Sequence, residues 1–335
     1  SINQLYNNIW WGQRGNFLSV PTDCPQRNER LGWTGDTQIF ARTALYNSDA
    51  KDFYRKWMRD LRNSQREDGA YPDIAPYNNF WGYGTAAWGD AGVILPWTVY
   101  EMTGDRTILE ENYASMTRYM QWLSTQEETV EGKRYTHIGA GTATGDWLAY
   151  APIEGRYVSM AYYAYVAQLM DSISATLGKQ REAESYRALY ADIRQEFRQR
   201  YMLPDGALRE HTQTAYLLAL RFDLLPEQHR AAARQALRRL IEENDYCLST
   251  GFVGTGILCS TLTDEGMNDL AYALLLQRKN PSWLYSIDQG ATTVWERWDS
   301  YKREEGFHKH EWNMNSFNHY AYGAVAEWMY AYVAG

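Results

Sequence analysis

The chain has 335 residues, 45% of them hydrophobic and 15% aromatic, enough apolar material for a large core, and its formal charge is −8. Its 33 Lys and Arg residues are dispersed, without the basic stripe that follows a nucleic-acid backbone, so nucleic acid is not an expected partner. No run of about 18 apolar residues escapes a polar break, which argues against a membrane span, and Cys24, Cys247 and Cys259 are too few and too irregular for a disulfide framework or a zinc site.

Helical periodicity runs along nearly the whole chain, and strand signals are almost absent. In chain order the pattern predicts helices at 2–14, 37–47, 49–65, 88–102, 105–126 and 157–177, then at 180–200, 211–221, 226–243, 252–262, 265–277 and 318–333. Leu109, Tyr113, Met116, Met120 and Leu123 recur at helical spacing among polar residues. So do Tyr186, Leu189, Ile193 and Phe197, and Ala233, Leu237, Leu240 and Ile241 after the start signal Pro226. These helices have one wet face. The segments 91–100, 157–170, 252–259 and 319–333 are instead apolar around most of their circumference and require protein on all sides. Twelve helices alternating between exposed and enclosed describe two concentric rings of six, an all-α (α/α)6 barrel. No linker divides the chain, so residues 1–335 read as one domain. It opens at Ser1 with neither Met nor a signal-peptide pattern, as a mature or excised piece of something longer would.

The connections are asymmetric. Every link from an enclosed helix to the next exposed one is short, such as the turn at Thr103-Gly104, whereas 15–36, 66–87, 129–156 and 278–317 are long. Long loops in a compact domain are usually functional. All four must lie at the end where the inner helices begin, whose partial positive charge suits a site built from carboxylates. This topology predicts that Glu29 and Glu296 meet in space.

Those loops hold side chains suited to sugars. The first contains Asp23, Arg27, Glu29, Trp33 and Asp36 within the Pro- and Gly-punctuated stretch PTDCPQRNERLGWTGDTQ. The second has Trp81, with Trp88 and Asp90 at its end; the third has Asp146 and Trp147. The last reads GATTVWERWDS, with Trp295, Glu296, Arg297, Trp298 and Asp299, and runs on to His308, His310 and His319. Indole faces cover sugar C–H groups, and carboxylates accept from hydroxyls. Core filling accounts for many of the fourteen Trp; it accounts less well for Trp33, Trp88, Trp147 and Trp298, which sit beside acids in loops. Glycoside hydrolysis requires one protonated carboxyl and one ionised carboxyl acting opposite it, and two loops from opposite ends of the chain each supply a Glu. Asp23 and Asp36 would raise the pKa of Glu29, while Arg27 and Arg30 would lower it; the balance is not legible in the sequence. No metal-ligand spacing is present, His308 and His310 read as a polar loop pair, and no cofactor is expected.

The segments DCPQRNERLGWTGD, ATTVWERWDS and SFNHYAYGAVAEWMY closely resemble the catalytic domain of bacterial α-L-rhamnosidases, family 78 of the glycoside hydrolases, and the resemblance runs over essentially the whole chain. It implies an (α/α)6 barrel that removes terminal α-L-rhamnose with inversion, with Glu29 as general acid and Glu296 as general base. It further implies sugar-binding roles for Asp23, Arg27, Trp33, Asp36, Trp88, Trp147 and His319. Asn28 stands where this family often has Asp. Full-length members carry β-sandwich domains around the barrel, which this chain lacks. Three other readings remain: another inverting hydrolase or a phosphorylase, for which only Arg297 and the histidines offer a phosphate site; a catalytically silent sugar-binding module; and a terpene-type enzyme, for which the DDxxD motif is missing.

Overall fold

The computed structural model describes residues 1–141, 145–307 and 315–335. Its helices are, in order, α1 (Ile2–Asn16), α2 (Thr34–Asn47), α3 (Lys51–Asn63), α4 (Ala91–Thr103), α5 (Thr107–Leu123), α6 (Gly155–Thr176) and α7 (Gln180–Tyr201). There follow α8 (Gln213–Arg221), α9 (Glu227–Glu243), α10 (Phe252–Asp264), α11 (Asn268–Leu276), the short α12 (Trp283–Asp288) and α13 (Val325–Trp328). A 3-10 turn (Ala321–Ala324) precedes α13, and a π-turn (Met329–Val333) follows it.

Contacts between elements close a ring. α2 packs on α4, α4 on α6, α6 on α8, α8 on α10, α10 on the 3-10 turn, and that turn on α2 again. The even-numbered helices from α2 to α10 and the C-terminal segment are therefore the inner ring, and α1, α3, α5, α7, α9 and α11 form the outer one. This is the (α/α)6 barrel that the alternation of wet and dry helices predicts. Outer α3 shows the cause: it buries only Tyr54, Trp57, Met58 and Leu61, one stripe at helical spacing, whereas α6 buries fourteen of its twenty-two residues.

Local signals set the ends. Gly104, at φ +73°, stops α4 with its N–H on the Tyr100 carbonyl, and the Thr212 hydroxyl accepts from the Ala215 N–H at the start of α8. The last inner element departs from expectation, since 318–333 divides into 3-10, α and π turns rather than one helix. Two small antiparallel hairpins decorate the loops: β1 (Glu128–Val130) with β2 (Lys133–Tyr135), and β3 (Tyr301–Lys302) with β4 (Gly306–Phe307). α12 likewise interrupts the long last connection. All three free cysteines are buried. No described helix is long and apolar enough to cross a membrane.

Candidate active site

The long connections gather at one end of the barrel around a cavity of about 280 Å³. Its polar wall is made by Asp23, Arg27, Glu29, Asp36, Glu296 and His319, with Asp73 and Thr85; its apolar wall is Trp33, Trp81, Trp88, Trp147 and Phe252.

The first loop is stapled to itself and to the second. The Asp23 N–H donates to the Leu31 carbonyl, and the Leu31 N–H donates back to Asp23 Oδ1 at 3.0 Å. Thr34 donates through both its N–H and its hydroxyl to the Asp73 carbonyl, and the Ala75 N–H donates to the Gly32 carbonyl. Asp73 Oδ1 and Oδ2 accept from the Thr85 N–H and hydroxyl at 2.9 and 2.7 Å, which carries Thr85 to the cavity. A Cβ on Gly35 would lie 2.5 Å from the Trp88 ring, so only glycine lets that indole lie against the first turn of α2. A Cβ on Gly251 would meet the Trp147 carbonyl at 2.0 Å, and the Phe252 N–H donates to that same carbonyl at 3.0 Å. The last loop is tied in by the Glu296 N–H on the Ser316 carbonyl and the His319 N–H on the Val294 carbonyl. From Ser316 the hydroxyl donates to Gln26 Oε1 in the first loop at 3.1 Å.

Arg27 is the hub. Its Nη2 lies 2.5 Å from Glu29 Oε2 and 3.5 Å from Asp23 Oδ2, and its Nη1 lies 3.3 Å from Glu296 Oε2. The two glutamates thus hold the two ends of one planar fork, which limits their nearest oxygens to a separation of about 8 Å. Trp33 Nε1 donates to the other Glu29 oxygen at 2.8 Å. Arg30 turns outward, where its Nε donates to the Arg27 carbonyl, and Asn28 is exposed on the same loop.

Burial dominates the electrostatics. It pushes the Glu296 carboxyl up to about 7 against the pull of Arg27, with Asp23 and Glu29 adding to the rise. Burial and then the Glu29 charge push Asp23 up to about 6, and burial followed by Asp23 holds Asp36 well above the usual carboxylate range. His319, whose Nε2 lies 3.1 Å from Asp36 Oδ1, is brought down to about 3 by burial and by Arg27, so its imidazole is neutral. Arg27 Nε and His319 Nδ1 are buried without a hydrogen-bond partner among the described residues, and Asp36 Oδ1 and Glu296 Oε2, though close to His319 and Arg27, receive no well-directed hydrogen bond. Buried polar atoms left in that state are costly unless a ligand or water supplies the missing bonds.

The structure thus brings Asp23, Arg27, Glu29, Trp33, Asp36, Trp88, Trp147, Glu296 and His319 together around one cavity. Trp298 is the correction. It is buried in the core, its Nε1 donating to the Thr250 carbonyl and its ring stacked on Tyr322 at 3.9 Å and 20°, so it presents no face to the cavity. Two further loop acids serve the scaffold. Asp146 accepts from the Gly251, Val253 and Gly254 N–H groups at the start of α10, and Asp90 accepts from the Ala87 N–H and the Tyr119 hydroxyl. His308 and His310 lie outside the described residues. Asp73, Thr85 and Phe252 join the wall without having been singled out; the signals available were an acid between two prolines in a long loop and the first residue of a dry helix facing that end. Among the described residues, Asp23, Cys24 and Glu29 lie close enough to share a cation, and the Arg27 guanidinium already places one positive charge against Asp23 and Glu29.

Comparison with known proteins agrees with this architecture. An α-L-rhamnosidase of Streptomyces avermitilis is 46% identical over the whole chain, which covers 32% of that protein; one from Formosa agariphila is 43% identical, with 36% covered. The chain therefore spans about a third of the length of these curated relatives. The crystal structure of the S. avermitilis α-L-rhamnosidase complexed with L-rhamnose superposes over 100% of this chain and 32% of its own with a TM-score of 0.94. That of the native Aspergillus terreus enzyme, 37% identical, covers 98% of this chain and 39% of its own with a TM-score of 0.89. The profile described as the bacterial alpha-L-rhamnosidase 6 hairpin glycosidase domain matches residues 1–333, and the chain belongs to that family.

Proposed function

We propose that this barrel is the catalytic unit of a glycoside hydrolase that removes terminal, non-reducing α-L-rhamnose with inversion at the anomeric carbon. Relatives about three times its length support its place within a longer polypeptide with further domains. The observation that carries the reading is the pair Glu29 and Glu296 on one guanidinium, in a cavity where four buried polar atoms lack a well-directed hydrogen bond to the described residues. Sugar hydroxyls supply those partners at Arg27, Asp36, Glu296 and His319, while the indoles of Trp33, Trp88 and Trp147 cover the C–H faces and the 6-methyl group.

Glu29 is the general acid. It is the more exposed of the two glutamates, with a side chain 21% accessible against 3% for Glu296, so it stands where the leaving group departs to solvent. Trp33 and Arg27 hold one oxygen each and fix its direction. Glu296 is the general base: buried, with its carboxyl raised to about 7, it is a stronger base than an ordinary carboxylate once ionised. Inversion needs a water between the carboxyls, a spacing of about 6.5–9.5 Å against about 5–5.5 Å for retention. The limit set by Arg27 admits both, so product stereochemistry decides.

A second assignment has one observation in its favour. The raised carboxyl of Glu296 would equally suit a proton donor, which would exchange the two roles. Leaving-group dependence separates them: loss of the acid hurts rhamnosides of alcohols far more than p-nitrophenyl rhamnoside, and loss of the base hurts both alike and is rescued by azide. The function itself is tested by turnover of p-nitrophenyl α-L-rhamnoside beside the α-L-fucoside and β-D-glucoside, with the first product anomer read by NMR. Rhamnoside turnover yielding β-L-rhamnose is expected. A first-formed α anomer, or preference for either other glycoside, overturns the reading.

A further inference from the structure

The Arg27 fork limits the separation of Glu29 and Glu296 without setting it, because each carboxylate can turn against its guanidinium N–H and keep the contact. Their spacing must therefore come from the backbones that carry them. Side-chain bonds join the segment 16–26 to the segment 316–320: Tyr320 Oη donates to the Pro21 carbonyl at 3.2 Å, Asn16 Nδ2 to Asn318 Oδ1 at 3.1 Å, and Ser316 Oγ to Gln26 Oε1 at 3.1 Å. The first two anchor the early loop well before Arg27. The last lies beside the reacting groups, since Gln26 immediately precedes Arg27 and the Ser316 carbonyl accepts from the Glu296 N–H at 2.9 Å. Ser316 is fully buried, and its hydroxyl accepts from the Asn318 N–H at 3.2 Å, which leaves its own proton directed at Gln26. Gln26 is exposed, and this bond ties its side chain down.

We propose that Ser316 and Gln26 are positioning residues that set the spacing of the two glutamates by cross-linking the loop of one to the loop of the other. This rests on the reading of Glu29 and Glu296 as the reacting pair and deepens it. Neither Ser316 nor Gln26 lines the cavity, so they act through the backbone that leads to Arg27 and Glu29 on one side and to Glu296 on the other. Proton transfer to the leaving oxygen and activation of the water need both carboxyls in place at once, and a misplacement of about 1 Å can cost roughly 10²-fold in rate. Ground-state binding is spread over Asp36, Trp88, Trp147 and other wall residues carried by other elements. Loss of the cross-link therefore falls on kcat. A bond that merely stabilised the loop would lower the melting temperature and leave kcat alone.

Gln26→Ala, Ser316→Ala and the double variant are made in the full natural polypeptide, and kcat and KM are measured for methyl α-L-rhamnoside, whose poor leaving group requires both carboxyls. Each single variant should lose roughly tenfold in kcat with KM within about twofold of the parent. The double variant should lose no more than the worse single, because the two changes break one bond. Gln26 is exposed and its truncation spares the fold, so that variant decides alone if Ser316→Ala does not fold. A near-parent kcat in Gln26→Ala, losses that multiply in the double variant, or a loss confined to KM or to the melting temperature overturns the cross-link while leaving the rhamnosidase reading intact. A parent protein that turns over no rhamnoside overturns both.

Discussion

Replacing Arg27 by Met keeps the length of the side chain and removes the charge that Glu29, Glu296 and Asp23 share. The guanidinium lies 3.3 Å from Glu296 and is the main influence keeping that carboxyl from rising further. An opposite charge at this range is worth about 1–3 pKa units, and the low end applies because Arg27 retains contact with solvent. Glu296 should therefore move from about 7 into the range of about 8–9. If it is the base, the acid limb of kcat/KM against pH moves by the same amount, and the rate at pH 7 falls roughly tenfold from this cause alone. Loss of the sugar contact proposed for Arg27 would lower the whole profile further, so the position of the limb is the readout. A profile over pH 5–10 for p-nitrophenyl α-L-rhamnoside measures it. Movement of the alkaline limb instead would assign Glu296 to the acid, and a profile lowered without either limb moving would refute the electrostatic argument.

Glu29→Gln should cut turnover of alkyl rhamnosides by about 10²–10⁴-fold while rhamnose binding, read by Trp fluorescence, persists; a near-normal rate would remove Glu29 from the mechanism. Trp298→Ala should cost about 3–5 kcal/mol by urea denaturation, because it empties a stacked core site rather than a sugar contact. Gly35→Ala should displace the Trp88 indole and raise KM several-fold with a smaller effect on kcat, as steady-state kinetics would show. Stability should depend on pH in an unusual direction. Asp90 and Asp146 are raised by burial to about 6 in the folded chain, so the folded state binds more protons than the unfolded one above the ordinary carboxylate range. Their contribution is complete below that range and is lost as pH rises through about 6, so the melting temperature should be higher at pH 5 than at pH 7, by an amount calorimetry resolves.

The barrel was legible because its cause is written locally. A helix such as α3 with a single apolar stripe must be outside, one such as α6 that is apolar around most of its circumference must be inside, and strict alternation with short links on one side leaves two rings as the solution. The same pattern located the end that carries the cavity, because the long connections gather there. What it could not supply was direction. Trp298 and Trp147 sit beside acids in loops alike, yet one stacks on Tyr322 and the other faces the cavity. Asp146 and Asp23 are both buried loop acids, yet one caps α10 and the other approaches Arg27. Side-chain orientation depends on which distant backbone lies alongside, and that is settled by packing.

Composition, periodicity and loop length by themselves determined the helical class, the two rings and the end of the barrel where residues for chemistry collect, since each follows from the hydrophobic pattern within a few turns of chain. Tertiary structure alone decided that Arg27 turns inward while Arg30 turns out, that Glu29 and Glu296 share its fork, and that burial lifts Glu296 rather than leaving it an ordinary carboxylate. The physical reason is that desolvation and Coulomb interaction depend on distances between residues far apart in the chain, which no local pattern encodes.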